Sequence, residues 1–84
     1  MGRPAAKKKQ RRNVEISKWF GAIVRRRREA IGMSQRELAE LASLAQPDVP
    51  AIERGDRDVR LTTADRIARA LDAALRDLLP PGKR

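Results

Sequence analysis

The sequence predicts an all-α domain organised around two short helices joined by a tight turn. Apolar residues recur at helical spacing, and no stretch shows the alternation of a half-buried strand. Helix start and stop signals are frequent, including a capping box at Ser34 and Glu37 and glycines at 32 and 55. At 84 residues the chain forms one small domain whose core is only marginally sufficient. It must therefore pack economically or pair with a second copy.

Residues 1–13 are predicted to form a disordered basic arm. They carry six basic side chains and no acid, which is +6 of the net charge of +9. A densely charged segment without apolar periodicity does not bury enough apolar surface to fold alone. Two roles are open, a solubilising tail or an arm that follows phosphates or enters a minor groove. The side chains available for DNA contact are Lys7, Lys8, Lys9, Arg11 and Arg12.

The first helix is expected from about Glu15 to Ile31. Gly32 follows where a left-handed C-terminal cap is needed. Phe20 is assigned to the core, whereas Trp19 lies beside the apolar face as either a partly exposed lid or a contact to a second copy. The apolar face of this helix comprises Ile16, Phe20, Ile23, Val24 and Ile31.

The second helix is expected to begin at Ser34, where Ser34 and Glu37 form the capping box and Met33 and Leu38 flank it as a hydrophobic staple. Its apolar stripe consists of Leu38, Leu41 and Ala42. Another apolar pair, at Val49 and Ile52, follows so closely that the next helix must turn sharply and pack on the second. This spacing predicts a helix-turn-helix.

The start of the third helix is open because of Pro50. If the helix begins near Ala45 or Gln46, the proline ring removes a hydrogen bond and kinks it. Otherwise the helix begins later with Asp48 as its cap and is shortened. The turn before it is expected at Ser43 and Leu44, where serine would take a left-handed backbone that is easiest for glycine.

Two further helices complete the predicted domain. The fourth opens at 61–63 with Thr62 as its cap, and its inward side is formed by Ile67, Ala70 and Leu71. Asp72 follows it, and aspartate tolerates a left-handed backbone there better than most residues. The fifth is short, contains Leu75, Leu78 and Leu79, and is stopped by Pro80 and Pro81.

These motifs together resemble the Cro/cI-type (xenobiotic-response-element, XRE) helix-turn-helix family. The shared pattern is S-Q-x-x-L-A from Ser34, then Gln46, Pro47 and Val49, then I-E-R-G at 52–55. The resemblance spans roughly Phe20 to Leu79. It implies a five-helix, lambda-repressor-like bundle over residues 14–80, followed by a disordered tail at 81–84.

The resemblance implies a DNA-binding surface in which the third helix lies in the major groove and the second braces on the DNA backbone. Gln46 is the best candidate to read adenine, and Gln35 is expected to donate to a phosphate. Arg54 and Arg57 would supply charge to phosphates. Asp48 either accepts from cytosine or caps the helix. The complete expected set is Ser34, Gln35, Gln46, Pro47, Asp48, Ala51, Arg54 and Arg57.

Two structural roles also follow from the resemblance. Arg28 is expected to form a partly buried ion pair with Glu53 that ties the first helix to the end of the third. A symmetric dimer is implied, reading half-sites about 34 Å apart. Its pairing surface would be formed by Leu75, Leu78 and Leu79, although these residues could equally close the core.

The leading interpretation is a prokaryotic or phage transcriptional regulator that binds a palindromic operator on double-stranded DNA as a homodimer. An antitoxin with a protein toxin partner is an alternative, since D-V-R-L-T-T at 58–63 is similar to relatives of that type. A protein-interaction module on a decayed DNA-binding fold is another. No enzyme, metal or cofactor is expected, because the sequence lacks His and Cys and its carboxylates do not converge. We expect a cytoplasmic, nucleoid-associated protein without a membrane segment.

Overall fold

The computed structural model describes the backbone of residues 4–81 and the side chains of residues 15–81. It contains four α-helices and no strand in that part of the chain. They are α1 (Pro4–Ala30), α2 (Gln35–Ala42), α3 (Asp48–Glu53) and α4 (Leu61–Ala70), followed by a 3-10 helix at Leu75–Leu78. None of the described helices is both long and apolar enough to cross a lipid bilayer.

The prediction of a fifth α-helix is wrong, because the last element is the 3-10 helix. Asp77 accepts a hydrogen bond from the Ala74 amide at 3.1 Å and so begins this helix. Leu79 is extended, with φ of −104° and ψ of 152°. A residue before a proline is disfavoured in helical geometry, so Pro80 ends the element after a single turn.

Helix α1 begins at Pro4, well before the start near Glu15 that the apolar spacing predicts. The backbone of residues 4–13 is helical in the structure, which differs from the disordered arm expected from the charge. Alanine, lysine, glutamine and arginine are strong helix formers, and proline fits the first position of a helix. The described residues do not include 1–3 or 82–84, nor the side chains of 4–14. The roles of the arm and the tail therefore stay predictions.

The core lies where α1 packs on α3 and where α2 packs on both α3 and α4, with the 3-10 helix against α1 and α4. The buried apolar side chains come from every one of these elements or from their ends. They are Phe20, Val24, Leu38, Ala39, Ala42, Val49, Ile52, Ala64, Ile67, Ala68, Leu71 and Leu78.

Several residues predicted to be inward-facing lie on the surface instead. Ile16, Ile31 and Leu41 are 48%, 56% and 62% exposed. Ile16 and Ile31 belong to the predicted face of α1, but among the described residues no other element buries them. In α2 the buried residues are Leu38, Ala39 and Ala42, and Leu41 is not among them. Trp19 is 43% exposed, as expected for a residue beside the core face.

The C-terminal leucines divide between core and surface. Leu78 is fully buried and Leu75 is partly buried against the core of the same chain. The prediction that Leu78 takes part in a pairing surface is therefore wrong, because its side chain closes the core. Leu79 is 36% exposed and could meet a partner.

Most of the helix ends follow the sequence signals. The Ser34 capping box is confirmed, with the Glu37 amide donating to Ser34 Oγ at 3.0 Å and the Ser34 amide donating to Glu37 Oε1 at 2.8 Å. Ser43 and Asp72 have the predicted left-handed backbone, with φ of 59° and 56°. Thr62 is not a cap, because α4 already begins at Leu61 after an extended residue.

Gly21 is buried where α1 crosses α3. A Cβ placed on Gly21 would lie 2.8 Å from the Glu53 carbonyl oxygen and would overlap that of Ile52. Because both neighbours are backbone atoms, no side-chain movement would make room. The two helices therefore approach as closely as they do only with glycine at this position.

We predict that Gly21→Ala lowers the free energy of unfolding by about 3 kcal/mol, since a methyl group would force the two helices apart. Gly32→Ala is the control. Gly32 has φ of +71°, unlike Gly21, and has open space around it, so that change should cost about 1 kcal/mol through backbone strain alone. Chemical denaturation followed by circular dichroism measures both. If both variants lost the same free energy of unfolding, the close approach of α1 and α3 at Gly21 would be contradicted.

Candidate nucleic-acid interface

The turn between α2 and α3 is built by one left-handed residue and a short hydrogen-bonded bend. After Ser43, the Leu44 amide donates back to the Ala39 carbonyl at 2.8 Å. The Asp48 amide then donates to the Ala45 carbonyl at 2.9 Å. These two bonds reverse the chain, so that α3 packs on α2 as the spacing of apolar residues predicts.

The structure decides between the two predicted starts of α3. The helix begins at Asp48 and ends at Glu53, only six residues in all. Pro50 is its third residue, where the amide of any residue lacks an acceptor within the helix, so its missing N–H costs little. Asp48 is the first helical residue and not the cap. Pro47 precedes it without any side-chain cap hydrogen bond.

The inner side of α3 is formed by Val49, Ile52 and Glu53, all buried. Its opposite side, together with the bend before it, faces away from the core. We call this surface the recognition face, and its residues are Gln46, Pro47, Ala51 and Arg54. A shallow depression lined by Gln35, Gln46, Pro47 and Pro50 joins it to the start of α2. The structure thus brings the expected base-facing residues and Gln35 onto one side of the molecule.

A buried ion pair holds α3 in place against α1. Arg28 Nε donates to Glu53 Oε2 at 2.6 Å and Arg28 Nη2 donates to Glu53 Oε1 at 3.1 Å. The residues are only 8% and 9% exposed. Hydrogen bonding to Glu53 raises the pKa of the Arg28 guanidinium, although burial opposes the rise. The predicted pair is therefore present, and its geometry is bidentate.

The same pair also fixes the start of α2. Arg28 Nη1 donates to the Met33 carbonyl at 2.8 Å, and Gln35 Nε2 donates to Glu53 Oε1 at 3.0 Å. Gln35 was expected to donate to a phosphate, but here its amide is hydrogen-bonded to Glu53. The hydroxyl of Ser34 is likewise engaged, in the capping box. Three helices thus meet at one carboxylate.

Both arginines expected to contact phosphates form ion pairs with aspartates. Arg57 Nη2 lies 2.6 Å from Asp48 Oδ1, and Arg54 Nε lies 2.8 Å from Asp56 Oδ2. Each pair is partly exposed, and each arginine keeps N–H groups that could meet DNA. Positive charge near α3 is consequently lower than the arginine count suggests.

A second contact across the fold holds the end of α2. Arg66, on α4, donates from Nε to the Ala42 carbonyl at 2.9 Å. A cationic donor at the end of a helix satisfies a carbonyl that has no partner within the helix. Sequence analysis missed this role, because nothing near Arg66 in the chain indicates which carbonyl it reaches.

A helix-turn-helix family model matches residues 24–78 of the chain, which include the whole arrangement from the end of α1 to the 3-10 helix. The chain belongs to the Cro/cI-type helix-turn-helix family. An uncharacterized HTH-type transcriptional regulator of Methanothermobacter thermautotrophicus is 39% identical over 49 residues, which cover 58% of this chain and 71% of the relative.

Solved structures of two kinds share this Cro/cI-type fold. The restriction-modification controller protein C.AhdI from Aeromonas hydrophila is 40% identical with a TM-score of 0.72, covering 74% of this chain and 94% of that one. Hydroxypropylphosphonic acid epoxidase from S. wedmorenis is 32% identical with a TM-score of 0.74, covering 81% of this chain but only 36% of the enzyme. The match to the enzyme is thus confined to about a third of its chain.

We predict that Glu53→Ala lowers the free energy of unfolding by about 3 kcal/mol or more, because it leaves a buried guanidinium without its partner. Glu40→Ala is the matched control. Glu40 pairs with Arg36 across 3.8 Å on the surface, and an exposed pair contributes less than about 1 kcal/mol. Urea denaturation measures both variants. A similar small loss for both would show that the buried pair does not hold the helices together.

Proposed function

We propose that the protein is a transcriptional regulator that binds double-stranded DNA sequence-specifically, as a homodimer on a palindromic operator. The observation that carries the proposal is the recognition face, where Gln46 is exposed in the bend just before α3 and the end of that helix is held by the Arg28–Glu53 pair. A bidentate side-chain amide at the start of such a helix suits adenine in the major groove. Membership of the Cro/cI-type family and the regulatory names of two relatives support it.

The distribution of charge supports a division of roles within this function. Arg54 and Arg57 are each paired with an aspartate, so the region of α3 attracts phosphates only weakly. The sequence of residues 1–13 carries +6 of the net +9. The arm would then supply most of the sequence-independent attraction to DNA, and Gln46 would supply selectivity.

Pairing of two copies is needed because one short α3 offers few base contacts. Large apolar side chains are exposed around a groove between the start of α4, α1 and the C-terminal end, namely Leu61 at 70%, Ile16 at 48% and Leu79 at 36%. Burying such side chains against a second copy would stabilise a dimer. We propose that the pairing surface lies at this groove. It retains Leu79 from the residues predicted by the sequence, and Leu61 takes the place of Leu78.

Selection from a random duplex pool tests the function directly. We predict that the protein enriches a palindrome containing adenine in each half-site. Gln46→Ala should weaken binding to this operator about tenfold, because one bidentate amide-adenine contact is lost. Fluorescence anisotropy measures the affinities. Thermal stability should not change, because Gln46 is exposed.

The control for this prediction is an operator with the selected adenines replaced, on which wild type and Gln46→Ala should bind almost equally. An equal loss on both duplexes would mean that Gln46 does not read a base. If no duplex binds wild type even at low salt, the proposed function is wrong, and a protein-interaction module on a decayed DNA-binding fold becomes the better interpretation.

We also predict that Leu61→Glu weakens dimerisation at least tenfold, on the order expected for an anchor residue of an interface, because a buried carboxylate would replace an apolar contact. Sedimentation equilibrium measures the dissociation constant. Leu41→Glu is the matched control, since Leu41 is 62% exposed but lies beside Ile31 on a different apolar surface. If Leu41→Glu weakens the dimer and Leu61→Glu does not, the pairing surface is misplaced.

A further inference from the structure

The ion pair between Asp48 and Arg57 joins the first residue of α3 to the loop that follows the helix. Arg57 Nη2 and Asp48 Oδ1 are 2.6 Å apart, although the residues are nine positions apart in the chain. Asp48 lies at the N-terminal end of α3, which is the end that meets base edges in this kind of domain. The pair therefore holds an arginine head group at the edge of the recognition face.

The ion pair positions the Arg57 guanidinium but uses only some of its hydrogen-bond donors. The Arg57 side chain is 51% exposed and that of Asp48 is 31% exposed. The Asp48 bond uses Nη2 alone, and within the described residues no hydrogen bond uses Nε or Nη1 of Arg57. A guanidinium has five N–H donors in a fixed fork, so donors remain for a ligand. Holding the side chain beforehand lowers the entropy lost on binding.

The carboxylate also affects which ligand Arg57 can take. A phosphate oxygen approaching Arg57 would be repelled by the negative charge of Asp48. Asp58 and Arg60, which carry opposite charges, line the same depression beside α3 and add no net charge to it. The edge of guanine is uncharged and offers two acceptors, O6 and N7, that match an arginine fork. A neutral arginine-aspartate pair thus suits a base edge better than a phosphate.

We propose that Arg57, positioned by Asp48, is a specificity-determining residue that reads a guanine in the major groove. This inference rests on the proposed DNA-binding function, and it replaces the phosphate contact that the sequence predicts for Arg57. Each half-site would then contain a guanine read from the loop in addition to the adenine read by Gln46.

The experiment compares the full-length protein and three variants by selection from a random duplex pool, then by anisotropy on the selected operator. We expect Arg57→Ala to lose preference at one guanine per half-site and to bind the operator about tenfold more weakly. Asp48→Asn keeps the positive charge of Arg57 but weakens its positioning. It should lower the preference for that guanine while binding unrelated duplexes at least as tightly as wild type.

Asp56→Asn is the control, because it likewise removes one carboxylate from an arginine pair, the more exposed Arg54 pair at the other end of α3. It should leave the guanine preference unchanged. If Arg57→Ala weakens binding to every duplex equally and lowers the salt dependence by about one counterion, Arg57 contacts a phosphate and the inference is wrong. If wild type itself selects no site, the proposed function is wrong. If wild type selects a site and Arg57→Ala selects the same guanine, only the inference about Arg57 is wrong.

Discussion

The buried ion pair of Arg28 and Glu53 is the interaction on which the remaining geometry depends. Glu53 accepts two hydrogen bonds from Arg28 and one from Gln35. Arg28 donates a third hydrogen bond to the Met33 carbonyl. One carboxylate therefore connects α1, the start of α2 and the end of α3. A buried charge is tolerated only when it is paired and hydrogen-bonded. Any movement of α3 relative to the other helices would break several of these bonds at once.

This connection compensates for the small size of α3. A helix of six residues is too short to be stable through its own hydrogen bonds. It is held by Val49 and Ile52 in the core, by Glu53 at its end and by the close approach of Gly21 from α1. Because these contacts all lie on the inner side of α3, its outer side is free to vary without loss of the fold. The sequence can thus carry Pro50 and Asp48 there.

Short local motifs and the family resemblance predicted well, whereas apolar spacing alone did not show which residues the neighbouring elements cover. The capping box at Ser34 and the left-handed residue at Ser43 involve neighbours in the chain, and the structure has both. Periodicity assigned Leu41 to the core, because spacing identifies a helix face but not where the neighbouring helices end. The fifth α-helix was expected from leucine spacing, yet Pro80 limits it to a 3-10 turn. Pro50 left two starts for α3 that only the folded chain could separate.

In the candidate site, the sequence indicated where side chains would lie but not which partners they would bind. Residue types at helix starts indicated where Gln46 and Gln35 would lie, but not that Gln35 would bond to Glu53. The Asp48 and Arg57 pair could not be inferred, since each residue taken alone suggested a different partner on DNA. Both pairs join positions on separate elements, so their geometry follows from packing. Charges counted along the chain therefore overstate how much positive charge α3 presents to a phosphate backbone.

That reduction in charge has a consequence for recognition. Two arginines neutralised by aspartates contribute little to nonspecific affinity for DNA, because that affinity follows the number of phosphates neutralised. A positively charged surface increases affinity for all sequences alike, whereas hydrogen bonds to base edges distinguish them. Near α3 the balance of charge thus favours selectivity over affinity, and the affinity must come from elsewhere. The basic side chains among residues 7–12 and the proposed pairing of two copies are two such sources.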